Sequence, residues 1–209
     1  MKKLPKLTQL FFILLIFYPL NSKSSEVSCK NEPKPAYSDC CNRPRLLDNR
    51  DFNGCDRIKI YRNQVTSVCA EYECFFIKNG LYLNSTIQIE AIQNYISRVA
   101  MTDSNRLMET SDWKNILMKS VENCVEKITV SEDVLRELYN EAPFEINPYE
   151  CDVAFISIMN CIYYDVFVNC PSEAWEKSLA CEAWKEFIST CMDDIETFPF
   201  INMNKLFGN

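Results

Sequence analysis

The sequence predicts an all-α, disulfide-stapled domain of a secreted protein. Three observations carry that prediction: twelve cysteines, only three glycines, and long segments whose apolar residues recur at helical spacing. Cysteine at this density behind a secretory leader reads as a framework of bridges. Gly54, Gly80 and Gly208 are too few for the turns of a many-stranded sandwich or barrel, and they cannot build a glycine-rich phosphate loop.

The leader comes first. Met1-Lys2-Lys3-Leu4-Pro5-Lys6 is cationic, Leu7 to Leu20 is apolar, and Ser22-Lys23-Ser24 offers small residues for cleavage. Residues 1–24 are therefore expected to be a signal peptide, and 25–209 a single domain. The apolar run is too short to span a bilayer as an ordinary helix, and no later stretch reaches about 18 apolar residues. Stable membrane insertion is not expected. About 185 residues remain after cleavage, enough for one hydrophobic core. Losing four leader lysines takes the formal charge from −7 to about −11. Such an acidic surface repels phosphates, so a nucleic-acid partner is not expected.

From Ser25 to about Gly54 the chain is polar and carries Pro33, Pro35 and Pro44, which reads as irregular structure. Cys29, Cys40, Cys41 and Cys55 are expected to hold it down. Neighbouring cysteines rarely bridge each other, so Cys40 and Cys41 should tie it to two different places. A helix is expected over Val65–Lys78, with Val68, Tyr72, Phe75 and Phe76 on one side and a stop at Asn79-Gly80. A second runs over Ile89–Ala100 with the stripe Ala91, Ile92, Tyr95 and Ile96. A third runs over Asp112–Lys127, with Ser111 as N-cap and Asp112 complementing the helix dipole. Its stripe places Cys124 beside Leu117, Val121 and Ile128 on the buried face.

Ser131 then caps a short helix through Val134, Leu135 and Leu138, before a break at Pro143 and Pro148. Tyr149–Val168 is apolar nearly all round, which marks a central helix. Pro171 disfavours helical geometry at Cys170 and ends it. Ser172 is expected to cap the last helix, with Glu173 in its first turn and Trp175, Leu179, Trp184, Phe187 and Ile188 along it. The apolar tail, with Phe198, Phe200 and Phe207, either covers an opening or frays.

The chain contains no histidine. That removes the commonest general base and zinc ligand together. A phospholipase-like hydrolase would need a histidine and a glycine-rich calcium loop. A two-carboxylate glycosidase needs only acids. Asp193-Asp194 or Glu145 with Glu150 are formal candidates, and solvated surface charge accounts for them better. The chain is read as no enzyme, with no cofactor and no metal.

The cysteine spacing narrows the reading. Four residues separate Cys69 from Cys74, 49 separate Cys74 from Cys124, and 26 separate Cys124 from Cys151. Nine then lead to Cys161 and eight to Cys170, with Pro171 next and ten residues between Cys170 and Cys181. This pattern resembles the insect odorant-binding proteins, specifically the enlarged Plus-C subgroup. That subgroup adds cysteines on both sides of a six-cysteine core and a proline after the sixth. Cys40-Cys41-Asn42-Arg43-Pro44 resembles its N-terminal extension. One departure stands out: the family usually has C-x3-C where this chain has Cys69-x4-Cys74, a rotation of about 140° on a regular helix. Either Cys69 sits at the helix start or the helix is overwound.

The resemblance implies six or more helices around an apolar cavity, divided into an extension over 25–60, a core over 61–170 and a C-terminal extension over 171–209. It implies interlocked core bridges Cys41–Cys74 (or Cys40–Cys74), Cys69–Cys161 and Cys124–Cys170. Cys29, Cys40, Cys55, Cys151, Cys181 and Cys191 would pair among themselves with partners unassigned. It implies a secreted carrier of small hydrophobic ligands such as odorants or pheromones in sensillar lymph. A chemosensory receptor and a homodimer are candidate partners.

A cavity of this kind is apolar with a few orienting polar groups. Phe75, Ile92, Leu117, Val121, Phe155, Met159, Ile162 and Phe187 are the candidate lining residues; plain core packing is the alternative role for each. Without histidine, any acid-triggered release falls to carboxylates and is expected nearer about pH 4–5 than pH 6. Asn84-Ser85-Thr86 is an N-glycosylation sequon in an expected loop. The rival readings are a disulfide-rich protein-interaction module without a pocket and a saposin-like lipid-transfer protein.

Overall fold

A computed structural model describes residues 29, 32–34, 40–55, 64–103, 111–140 and 151–192. The signal segment, Glu145, Glu150, Asp193, Asp194 and the aromatic tail lie outside the described residues. Among those described, a short 3-10 helix at Asn49–Phe52 precedes six α-helices. These are α1 (Gln64–Lys78), α2 (Ile89–Asp103), α3 (Ser111–Val130), α4 (Glu132–Asn140), α5 (Val153–Val168) and α6 (Leu179–Cys191). Strands β1 (Tyr82–Leu83) and β2 (Thr86–Ile87) form a small antiparallel hairpin between α1 and α2.

The helix-coding stripes become the core. α1 closes as its sequence predicts: Gly80 takes φ +68°, and Leu81 N–H returns 2.9 Å to the Phe76 carbonyl. The turn between β1 and β2 was not expected. Asn84 and Ser85 both adopt positive φ, 53° and 59°, as a two-residue type I′ connection requires.

α5 is the axis of the fold. Thirteen of its sixteen residues are buried, so it presents no solvent face, and it packs against α1, α3, α4 and α6. It starts at Val153 because Asp152 accepts the Ala154 N–H at 2.9 Å and caps it. It ends at Val168, just ahead of Cys170-Pro171.

The last helix corrects the sequence reading. Ser172 does not cap it and Trp175 is not in it. α6 begins at Leu179, capped by Ser178, whose hydroxyl accepts the Cys181 N–H at 3.2 Å. The backbone before it is engaged elsewhere. Asn42 N–H donates to the Ala174 carbonyl and Glu176 N–H to the Cys40 carbonyl, both at 2.8 Å, so Cys41 and Trp175 form an antiparallel bridge. Residues 174–176 cannot satisfy this extended pairing and a helix at once.

All twelve cysteines are paired. The expected core pairs are each replaced: Cys41–Cys74 by Cys55–Cys74, Cys69–Cys161 by Cys69–Cys151, and Cys124–Cys170 by Cys124–Cys161. The interlocking order is the expected one, displaced by one cysteine. Of the remaining six, Cys29 with Cys191 and Cys40 with Cys181 do pair among themselves, whereas Cys55 and Cys151 enter the core bridges and leave Cys41 to pair with Cys170. Cys29–Cys191, Cys40–Cys181 and Cys41–Cys170 fasten the N-terminal extension to the C-terminal part of the chain.

Helix geometry explains the displacement. Cys124 on α3 faces Cys161 in the middle of antiparallel α5, and Cys170 lies past the end of that helix, beyond about 10 Å of further helical rise from Cys161 at about 1.5 Å per residue. Cys55 reaches Cys74 because the 3-10 turn is stacked onto α1, with the Phe52 and Phe75 rings 4.6 Å apart. The C-x4-C departure also resolves. Cys69 lies well inside α1, neither at its start nor in need of overwinding. The two sulfurs point in different directions because they serve partners on different sides.

Candidate functional site

The apolar interior around α5 is the candidate site. α1 contributes Phe75, α2 Ile92, α3 Leu117 and Val121, α5 Phe155, Met159 and Ile162, and α6 Phe187. All eight belong to one contiguous core cluster, and none exceeds 2 % exposure. The structure therefore gathers the residues singled out from sequence. Their rings interlock: Phe75 meets Tyr95 edge-on at 5.2 Å, Phe76 lies 5.0 Å from Phe155, and Phe155 meets Tyr82 at 5.0 Å. Phe187 meets Trp184 edge-on at 5.6 Å.

Three polar side chains are sealed within this interior: Ser120, Ser157 and Asn160. Ser120 donates to Asp165 Oδ2 at 2.5 Å. The Ser157 hydroxyl lies against that of Tyr139, near enough to act on it electrostatically but short of a full hydrogen bond. Burial pushes the Tyr139 hydroxyl up to about 12, with Ser157 pulling the other way. Burial likewise raises Tyr72 far above the usual phenol range, so these phenols stay neutral at any physiological pH. Sequence periodicity missed Ser157 and Asn160, because the run over 149–168 reads as apolar.

Among the described residues, two of the clefts lie outside this interior. One, of about 410 Å³, sits between α3 and the end of α5 and presents Asp112, Asp165 and Glu173 against Lys119. The other, of about 500 Å³, runs beside Trp175 and the start of α6. Neither contains any of the eight candidate lining residues. No helix among the described residues is long and apolar enough to cross a membrane.

A family model for AgamOBP47-like proteins matches residues 47–187, more than half of the chain. The chain belongs to the AgamOBP47-like family. The matched span starts beside the 3-10 helix and ends in α6, so it takes in all three interlocked core bridges of this AgamOBP47-like chain. It omits Cys29, Cys40, Cys41 and Cys191, which serve the outer bridges. The chain is also similar to "General odorant-binding protein 68" of Anopheles gambiae, with 24% identity over 184 residues, covering 84% of this chain and 81% of that protein.

Proposed function

We propose that this AgamOBP47-like chain is a secreted carrier that binds small apolar molecules in its helical interior. Family membership over 47–187 is the observation that carries the reading. The name of the Anopheles gambiae relative agrees with it. The leader supports secretion, with residues 1–24 removed and 25–209 acting as one domain. Twelve bridged cysteines with Pro171 after Cys170 support a place in the Plus-C subgroup. The ligand set is the eight residues around α5, with Ser157 available to orient a polar group. The role needs no catalytic residue: affinity comes from removing apolar ligand surface from water.

Displacement of a fluorescent apolar probe from the purified, oxidised protein tests this. Saturable one-site binding, with volatile and fatty competitors acting in the micromolar range, is the expected result. Absence of probe binding by folded protein with six intact bridges would overturn it.

A further inference from the structure

Beyond the interior, we propose a second ligand site on the surface: the groove beside Trp175 takes a single-chain amphipathic anion such as a fatty carboxylate. The groove measures about 500 Å³, within the range of small-molecule sites. Its walls include Trp175, Lys177, Ser178, Leu179, Glu182 and Lys185.

Trp175 is a fixed platform. Its backbone pairs with Cys41, and the Cys41–Cys170 and Cys40–Cys181 bridges pin that pairing on both sides. The Phe167 ring meets its indole edge-on at 5.2 Å. Its Nε1–H donates to Glu182 Oε1 at 2.7 Å. Lys185 Nζ stands 4.8 Å over the ring. An indole held this way offers apolar surface at little further entropic cost. Leu179 extends that surface. It is 91% exposed, the most exposed large apolar side chain among the described residues. A lone exposed leucine means little, but here it continues the wall of a groove floored by an aromatic ring.

Charge selects the head group. The groove carries two ammonium groups, Lys177 and Lys185, against one carboxylate, and that carboxylate is already engaged by the indole N–H. The chain as a whole carries −7, and the cleft between α3 and α5 has three acids against one lysine. An anion is therefore favoured beside Trp175 and disfavoured in the other cleft. The carboxylate would lie between the lysines, with the chain along Leu179 and the indole.

Trp113 and Trp184 are fully buried, so Trp175 is the tryptophan whose emission a surface ligand would change. The experiment titrates the oxidised protein with sodium decanoate below its micellar concentration, and in parallel with decan-1-ol. Decanoate should shift Trp emission saturably by a component that is lost in Trp175→Phe, whereas a response to decan-1-ol, which the interior beside Trp184 would take, should survive that substitution. Replacing Lys177→Glu and Lys185→Glu together should weaken decanoate by about tenfold, since two exposed ion pairs become repulsive. Leu179→Asp, also at an exposed position, should weaken it too. Displacement of an apolar probe from the interior should be unchanged in both variants, which separates this site from the carrier reading. A decanoate response wholly retained in Trp175→Phe, or a decanoate affinity untouched by the charge reversal, would overturn the proposal.

Discussion

Ser120 donates a 2.5 Å hydrogen bond to Asp165 one helical turn from the Cys124–Cys161 bridge, so two different bonds fix the same register between antiparallel α3 and α5. The bridge fixes the spacing, and the hydrogen bond keeps a half-buried carboxylate satisfied beside the most apolar helix of the fold. Ser120→Ala leaves that carboxylate without its donor. The expected loss is about 1–2 kcal/mol by urea melts. Ser157→Ala should behave oppositely. Its hydroxyl is buried without a full hydrogen bond, so its removal should leave the melting temperature unchanged or raise it. A comparable loss from both variants would contradict this division.

The outer bridges predict a cooperative clasp. Cys40–Cys181 and Cys41–Cys170 leave from neighbouring residues and close separations of 141 and 129. With either one intact, the other closes only a small additional ring. In the loop-entropy view, removing one by paired Cys→Ser substitution should cost about 2–3 kcal/mol. Removing both leaves only the much wider Cys29–Cys191 ring to tie the extensions together and should cost more than the two single losses together. A double-mutant cycle by denaturant unfolding measures the excess directly, and strict additivity would show that the bridges act independently.

Much of this architecture is legible in the sequence, and the failures have identifiable physical causes. Helices α1, α2 and α3 follow from apolar steps of three and four, and α5 from its all-round apolarity, because burial by a helix imposes those periods. The hairpin is invisible because two-residue strands carry no period, and its turn uses Asn84-Ser85 without a glycine. Ser172 looks like a cap and loses to Ser178, since pairing with residues 40–42 claims the backbone between them. The bridge frame slips because Cys151-x9-Cys161 and Cys161-x8-Cys170 are nearly the same motif, and only the register of α3 on α5 tells them apart. The eight residues of the candidate site are legible as buried. Their part in binding is not, because a core and a pocket wall have the same periodicity.

Acid behaviour follows from carboxylates alone. Burial at the start of α5 pushes the Glu73 carboxyl up, while the Asp152 N–H donated to it at 3.1 Å pulls the other way. A carboxyl raised in the folded state binds its proton more tightly folded than unfolded. It therefore weakens the fold as pH rises through its unfolded value, ordinarily 4.5, to its folded one. Asp48 has the opposite sign: its bonds to Arg50 hold it down to about 2, so its contribution is lost as pH falls from 3.8 toward that value. Glu73→Gln keeps an acceptor for Asp152 and sheds the buried charge. At neutral pH it should be as stable as the parent or more so, with a flatter stability profile above about pH 4.5. With no histidine in the chain, apolar-probe affinity should change by less than about twofold between about pH 7.5 and 6. A steep loss in that interval would require a titrating group these carboxylates do not supply.

The hairpin tip joins a backbone constraint to a modification signal. Asn84 and Ser85 both hold positive φ, a conformation asparagine accepts more readily than serine. Ser85→Gly should relieve the strain and raise stability by about 1 kcal/mol, read as a higher melting temperature. The substitution leaves Asn84-x-Thr86 intact as a sequon, so it separates the two roles of the turn. Asn84 is exposed there, and we expect it to carry an N-glycan when the full chain passes through a eukaryotic secretory pathway. Glycosidase treatment should shift the mass of the parent and of Ser85→Gly alike, and not that of Asn84→Gln. A shift that survives Asn84→Gln would place the glycan elsewhere, and stability unchanged by Ser85→Gly would show that the serine sits in the left-handed region without strain.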